Sequence, residues 1–243
     1  MRWVLLTLGL ATIATFAARA DVPAVVEAQV WSVSYEVSLG GARVGAREVT
    51  VRERGPRRFV ESLTKVSAPA GVWGQRATAV CGGLGSLSSF TEMGDAAVRL
   101  QAREERGGRW KILVEGGSER GVDAYTSTLA LHDPTTARVL ATPGPLALVV
   151  VETGDVLSGT VEAGVDAVIS VGPEKVRVTR YVVRGAAGAA TFDLDAESVL
   201  LRAEVPTPLG ALVLTARAAP PPRSYGETPT IEAIGGGLRE ESL

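Results

Sequence analysis

The sequence predicts an all-β fold of about eleven to thirteen antiparallel strands with little helix. The clearest evidence is residues 31–51, where apolar and polar side chains alternate on both sides of Gly40-Gly41. Alternation is typical of strands with one buried face, and a Gly-Gly pair supplies the positive φ angles of a two-residue hairpin turn. Similar alternating segments recur along the chain between turns rich in glycine and proline. No internal repeat of fixed period is visible, so propellers and solenoids are not expected.

The predicted hairpin has one irregularity in its second strand. The apolar positions of the first strand are regular and comprise Trp31, Val33, Tyr35, Val37 and Leu39. In the second strand, the apolar residues change face between Ala46 and Val49. Such a change requires one extra residue, which a β-bulge provides. Glycine is a low-cost residue for a bulge, so we expect the bulge at Gly45.

The remaining strands follow from the same alternation and turn signals. They are predicted at residues 59–66, 72–81, 87–93, 97–105, 109–115, 165–171, 175–184, 189–194, 199–205 and 209–216. Two further segments leave alternatives open. Residues 95–106 contain good helix formers, but the flanking glycine pairs favour a strand. Residues 146–152 are apolar on both faces and form either a short buried helix or a central strand.

The chain divides into four predicted parts. They are a signal peptide at 1–20, a linker at 21–29, a single antiparallel β domain at 30–217 and a disordered Pro/Gly-rich tail at 218–243. Arg2 precedes an apolar stretch, and residues 18–20 form an A-x-A cleavage motif before Asp21. The apolar stretch of about 15 residues is shorter than the roughly 20 that cross a bilayer. We therefore expect export to the periplasm, with an extracellular location as the alternative, and no transmembrane segment after cleavage.

Charge and cysteine content narrow the class of protein further. The formal net charge of −2 at pH 7 argues against a nucleic-acid-binding surface. Cys81 is the only cysteine, so an intramolecular disulfide is impossible. A large exported domain without disulfides suits a Gram-negative periplasm better than a eukaryotic secretory pathway. We interpret Cys81 as a small buried apolar residue.

The residues that could carry chemistry do not form a known constellation. His132 is the only histidine and, beside Asp133, is interpreted as part of a solvated turn, since no G-x-S-x-G elbow accompanies it. One histidine and one cysteine do not supply a typical zinc site. Asp193 and Asp195 project to one side of a strand and could serve acid–base chemistry or bind calcium. The alternative, which we favour, is a polar hairpin turn at residues 195–198. We expect no catalytic residue, no metal, no cofactor and no enzymatic activity.

Both ends of the predicted domain resemble a known group of sequences. Residues 35–45, YEVSLGGARVG, resemble the opening of a broad set of exported bacterial proteins catalogued as domains of unknown function. Residues 180–217 are similar to the closing part of that set. The matching positions there are Tyr181, Gly185, Phe192, Asp193, Arg202 and Glu204. The resemblance covers about residues 30–217 and implies a strongly curved sheet, an incomplete barrel similar to that of the periplasmic lipoprotein carriers. It also implies a concave apolar surface able to hold an acyl chain.

These observations lead to two functional hypotheses. A curved open sheet has an apolar inner surface that needs a filling element, a partner or a ligand. The leading hypothesis is a non-enzymatic domain that binds a lipid or a lipoprotein acyl chain there. Its candidate ligand-binding residues, which could equally be core, are Trp31, Tyr35, Trp73, Trp110 and Phe192. The alternative is an assembly module that docks another cell-envelope protein through a free sheet edge.

Overall fold

The computed structural model describes residues 27–218, except 69–70, 94, 107, 187 and 208–209. The predicted signal peptide, residues 21–26 of the predicted linker and residues 219–243 of the predicted tail lie outside this part. Strands make up 70% of the described residues, which places the protein in the all-β class.

The described chain contains sixteen strands and one four-residue α-helix. The strands are β1 (Glu27–Leu39), β2 (Ala42–Arg54), β3 (Arg57–Ala68), β4 (Gly71–Cys81), β5 (Ser86–Met93), β6 (Ala96–Glu104), β7 (Arg109–Val114), β8 (Arg120–Asp123), β9 (Thr126–Ser127), β10 (Gly144–Val149), β11 (Val156–Val161), β12 (Val165–Val171), β13 (Glu174–Gly185), β14 (Gly188–Leu194), β15 (Leu200–Thr207) and β16 (Gly210–Ala216). The helix α1 (Pro134–Ala137) lies between two 3₁₀ turns, Ala130–His132 and Arg138–Ala141.

All sixteen strands belong to one curved, largely antiparallel sheet that is not closed. Its order is β8-β7-β6-β5-β4-β3-β2-β1-β16-β15-β14-β13-β11-β10-β9, and β12 pairs with β13 beside this path. The first and last described strands are neighbours, because β1 pairs with β16 from Tyr35 opposite Ala216 to Leu39 opposite Leu212. Only the two-residue contact between β9 and β10 is parallel among the described strand pairs.

The predicted number of strands, eleven to thirteen, is wrong, because β8, β9 and β11 were not recognised. β8 and β9 have four and two residues, too few to show an alternating pattern. In β11, Leu157 and Val161 are buried, and Gly159 lies between them on the same face. An apolar side chain at position 159 would make the alternating pattern visible, but glycine has none. A Cβ at Gly159 would lie 2.5 Å from the carbonyl oxygen of Arg184, so the close approach of β13 excludes a side chain.

The hairpin between β1 and β2 forms as the sequence predicts. Gly40 and Gly41 have φ angles of 57° and 85°, which a two-residue turn of this hand requires. The pairing shifts register between Val37 opposite Gly45 and the next pair, which is the predicted bulge. A Cβ at Gly45 would lie 2.0 Å from the carbonyl oxygen of Lys65 on β3, so glycine is required there.

The two ambiguous segments are both strands. Residues 95–106 contain β6, which pairs with β5 and β7, so the preferred strand interpretation is confirmed. Residues 146–152 contain most of β10, which pairs with β11. Its successive residues Leu148 and Val149 are both fully buried, in agreement with an apolar segment that faces protein on both sides.

The inner face of the sheet is filled by the chain itself. Residues 124–155, which we call the plug, contain β9, the short helical segment, β10 and the turn that follows it. The plug contributes fully buried aliphatic side chains: Leu129, Leu131, Leu140, Leu148 and Val151. Its last turn lies against the opposite strands, since Gln75 of β4 and Ser89 of β5 both donate to the Val151 carbonyl, at 3.4 and 3.2 Å. The plug is therefore the filling element that a curved open sheet needs.

Candidate ligand cavity

A cavity of about 250 Å³ remains between the plug and the strands β2, β14, β15 and β16. Its floor is apolar and consists of Phe192, Leu200, Ala203, Val205, Leu212 and Leu214. The strand register explains this floor, because Phe192 lies opposite Ala203 and Ala203 lies opposite Leu214. Side chains at directly paired positions project to the same face of a sheet, so the three form one continuous row.

The rim of the cavity carries charged and polar side chains. Arg47 of β2 and Glu152 of the plug form an ion pair there, with side chains 4% and 19% exposed. The arginine Nε donates to Thr64 Oγ1 of β3 at 2.8 Å, and its Nη2 donates to Glu152 Oε1. Buried charges in proteins are paired and hydrogen-bonded, and this pair connects the plug to the sheet.

His132 also lines the cavity, in the first 3₁₀ turn of the plug. Its Nδ1 lies 3.1 Å from the Tyr35 hydroxyl, and that hydroxyl donates to the Leu200 carbonyl at 2.6 Å. The two rings meet edge to face with their centres 5.1 Å apart. Burial, with a smaller contribution from the positive charge of Arg47, lowers the pKa of the His132 imidazole to about 3. Burial raises the pKa of the Tyr35 hydroxyl well above its ordinary value. Both groups are therefore neutral at physiological pH.

The interpretation of His132 and Asp133 as a solvated turn is wrong. Both residues are buried, with 1% and 0% exposure. The Asp133 carboxylate caps α1 by accepting hydrogen bonds from Thr135 N at 3.2 Å and Thr135 Oγ1 at 2.6 Å. It also pairs with Arg58 of β3 at 3.2 Å. These partners satisfy the carboxylate inside the protein, which allows the turn to pack beneath the sheet.

The five predicted ligand-binding aromatics do not converge on this cavity. Phe192 lines its floor, and Tyr35 reaches its rim through the contact with His132. Trp31 and Trp110 are 4% and 2% exposed and belong to the hydrophobic core, and Trp73 is half-buried against that core. These three tryptophans do not line the cavity.

The polar residues of the rim were not predicted as site residues. One signal for Arg47 was available in the sequence, because the bulge at Gly45 brings it onto the same face as the buried Val49 and Val51. An arginine at an inward position of a strand must have an internal partner. Glu152, that partner, is separated from it by 105 residues, and the sequence has no pattern that connects the two.

The remaining candidates have structural roles. Arg180 holds the buried Asp193 with two hydrogen bonds of 2.7 and 2.8 Å. Asp195 accepts hydrogen bonds from the backbone of Glu197 at 2.9 Å and Val199 at 2.8 Å, within the turn between β14 and β15. Burial raises the pKa of the Cys81 thiol to about 11, so this thiol stays protonated. Within the described residues, no group of three or more potential ligands could hold a metal ion.

Comparison with models of protein families, with curated proteins and with solved structures found no match for the chain. Within residues 27–218, apart from the gaps given above, none of the helices has the length and apolar character needed to cross a membrane.

Proposed function

We propose that the protein is an exported, non-enzymatic β domain that binds a small apolar or amphipathic molecule in the cavity between the plug and β14–β16. The observation that carries this proposal is the cavity itself, with its apolar floor and its charged rim at Arg47 and Glu152. Cavities that bind small molecules have this composition, in which an apolar lining supplies affinity and a few polar groups fix orientation.

The size of the cavity limits the ligand. Cavities for drug-sized ligands measure roughly 300–1,000 Å³, and this cavity of about 250 Å³ is slightly smaller. The plug already contributes fully buried side chains such as Leu131 and Leu148 to the core inside the sheet. A short acyl chain, or the end of a longer one, fits this space better than a whole phospholipid.

The cellular location and the family are part of the same proposal. The apolar stretch and the A-x-A motif before Asp21 support export to the periplasm. The likeness of residues 35–45 and 180–217 to exported bacterial domains of unknown function supports membership of that group. Each of these two segments contributes one residue to the site. Phe192 lines the cavity, and Tyr35 forms a hydrogen bond with His132, which also lines it.

Mass spectrometry of organic extracts tests the proposal. The full sequence is expressed with its predicted signal peptide, and the protein is purified from the periplasm without detergent. We expect one apolar or amphipathic molecule per chain, with a short or single acyl chain. A protein that yields no organic molecule, and that binds no short-chain amphiphile in calorimetric titration, would exclude the proposed function.

A second candidate function is supported by β12. This strand pairs only with β13 among the described strands, so its other edge is open over residues 165–171. Val165 and Val168 on this strand are 65% and 63% exposed. An open strand edge with exposed apolar side chains can accept a strand from another protein. The candidate function is docking to a cell-envelope protein of the same compartment.

Site-specific photo-crosslinking in cells tests this second candidate. A photoreactive residue at position 168 should give a discrete adduct with one protein, because the partner strand would lie beside β12. The control position is Leu113 on β7, which is also apolar and is 40% exposed. Equal adducts at both positions, or none at position 168, would exclude docking through β12.

A further inference from the structure

The hydrogen bonds around His132 determine which imidazole nitrogen carries the proton. The Tyr35 hydroxyl has one hydrogen, and it donates this hydrogen to the Leu200 carbonyl at 2.6 Å, because a carbonyl can only accept. The hydroxyl oxygen must therefore accept at its other contact, the 3.1 Å approach of His132 Nδ1. Nδ1 carries the proton, and in a neutral ring Nε2 is then an acceptor.

The acceptor Nε2 forms no hydrogen bond with the part of the chain that the structure describes. Among the described residues, Tyr35 forms both the side-chain hydrogen bond of His132, at Nδ1, and its aromatic ring contact. The side chain is 1% exposed and lines the cavity, so a donor for Nε2 has to come from within the cavity. A ligand in the cavity that supplies a donor gives Nε2 the hydrogen bond that the described residues do not provide.

The charges at the rim disfavour an anionic ligand. The charged residues among the described lining are Arg47, Glu152 and Asp155, and the exposed Asp155 pairs with Arg120 at 3.4 Å. Arg47 is already engaged, since it donates to Thr64 and to Glu152. A carboxylate group would find the Arg47 guanidinium already paired with Glu152 and would meet the lone pair of His132. A neutral hydroxyl group meets neither obstacle.

We propose that the ligand is a neutral amphiphile whose hydroxyl group donates a hydrogen bond to Nε2 of His132. This inference rests on the proposed function, because it names the head group of the molecule held in the same cavity. The apolar part of the ligand lies on the row formed by Phe192, Ala203 and Leu214. The hydroxyl group lies at the rim, within reach of His132. Tyr35 acts as a positioning residue, because it fixes the tautomer without touching the ligand.

Two isomeric probes test the head group. Hexan-1-ol and 1-methoxypentane have the same atoms, but only the alcohol has a hydroxyl donor. We expect the alcohol to bind about tenfold more tightly than the ether in calorimetric titration, the effect of one hydrogen bond to a buried acceptor. Hexanoate should bind more weakly than the alcohol.

A resonance measurement tests the contact at Nε2 directly. Because the chain has one histidine, ¹⁵N-histidine labelling gives a single imidazole. Its Nε2 resonance should shift with the alcohol and not with the ether.

Two variants provide the controls. His132→Phe keeps a ring in place and removes both nitrogens, so the alcohol and the ether should bind equally. Tyr35→Phe keeps the imidazole but removes the hydroxyl that holds the proton on Nδ1. Nε2 is then an acceptor only part of the time, so the preference for the alcohol should decrease. Equal binding of both probes to the wild-type protein would overturn the inference and leave the proposed function intact. Binding of neither probe would overturn both. The resonance measurement uses the wild-type protein, so it gives an answer even where a variant fails to fold.

Discussion

Arg47 of β2 and Glu152 of the plug form an ion pair across the inside of the sheet, although 105 residues separate them in sequence. The Arg47 side chain is 4% exposed, so its guanidinium group is almost completely removed from water. Thr64 accepts a second hydrogen bond from the same guanidinium at 2.8 Å. The pair therefore attaches the plug to the sheet and closes the charged end of the cavity.

Removal of Glu152 should destabilise the fold strongly. Glu152→Ala leaves the buried Arg47 without its counter-charge, and breaking a buried pair in this way typically costs about 3–5 kcal/mol. The partial exposure of Glu152 places the expected loss at the lower end of that range. Urea denaturation followed by circular dichroism measures it. The control is Glu162→Ala, which removes the exposed ion pair with Arg184 and should leave the midpoint almost unchanged. Equal midpoints for the two variants would contradict the role of Arg47–Glu152.

The plug should contribute a large share of the stability of the sheet. Leu148→Ala removes a fully buried side chain from β10, and such truncations cost about 2–5 kcal/mol. The matched control is Leu113→Ala on β7, where the side chain is 40% exposed and the loss should be much smaller. Urea denaturation of both variants makes the comparison. A similar loss in the two would show that the plug packs only loosely against the sheet.

The stability of the protein should decrease at acidic pH because of His132. The unfolded imidazole has a pKa of 6.5 and the folded one a pKa of about 3, so between these values the unfolded chain binds a proton that the folded protein does not. The free energy of unfolding therefore falls as the pH falls, by up to about 1.4 kcal/mol per pH unit from this group. The contribution is fully present above pH 6.5 and is lost toward pH 3.

His132→Phe isolates this contribution from the carboxylates that also titrate in the acid range. Tyr35 and Arg47, the groups that face the imidazole, are the same in both proteins. We expect the difference in unfolding free energy between wild type and variant to shrink as the pH is lowered from 7 to 4. A difference that stays constant over this range would contradict the low pKa of His132.

Export should leave a chain that begins at Asp21. The expected result is an intact mass of the periplasmic protein that corresponds to residues 21–243, because cleavage follows the A-x-A motif at residues 18–20. Ala20→Phe should block this cleavage, since the motif requires a small residue there. An uncleaved chain recovered from the cytoplasm after wild-type expression would contradict the predicted signal peptide.

The sequence predicts the regular part of the fold well, because alternation is visible wherever a strand has one buried and one exposed face. β1 and β2 show this clearly, down to the bulge at Gly45. The plug has no such signal, because Leu129, Leu131 and Leu140 are surrounded by protein and follow no single period. Its burial depends on contacts with strands far away in sequence, such as that of Gln75 with Val151.

The cavity was only partly predictable for the same reason. An apolar floor follows from the alternation in β14–β16, and Phe192 was among the predicted residues. For Trp31 and Trp110 the sequence leaves a ligand cavity and the core open as alternatives, and in the structure both belong to the core. The sequence predicts a solvated His-Asp turn, because the partners that bury it are distant in sequence: Tyr35 of β1 for His132 and Arg58 of β3 for Asp133.

The most direct test of the central claim, that the cavity holds a ligand, compares the wild-type protein with Ala203→Phe. Ala203 lies in the floor between Phe192 and Leu214, so a phenylalanine there fills the cavity. The control is Ala97→Phe at an exposed position of β6. Mass spectrometry of organic extracts counts the bound molecules per chain in the three proteins. The account predicts one molecule in the wild type and in Ala97→Phe, and none in Ala203→Phe. The same molecule in all three proteins, or none in any, would contradict it.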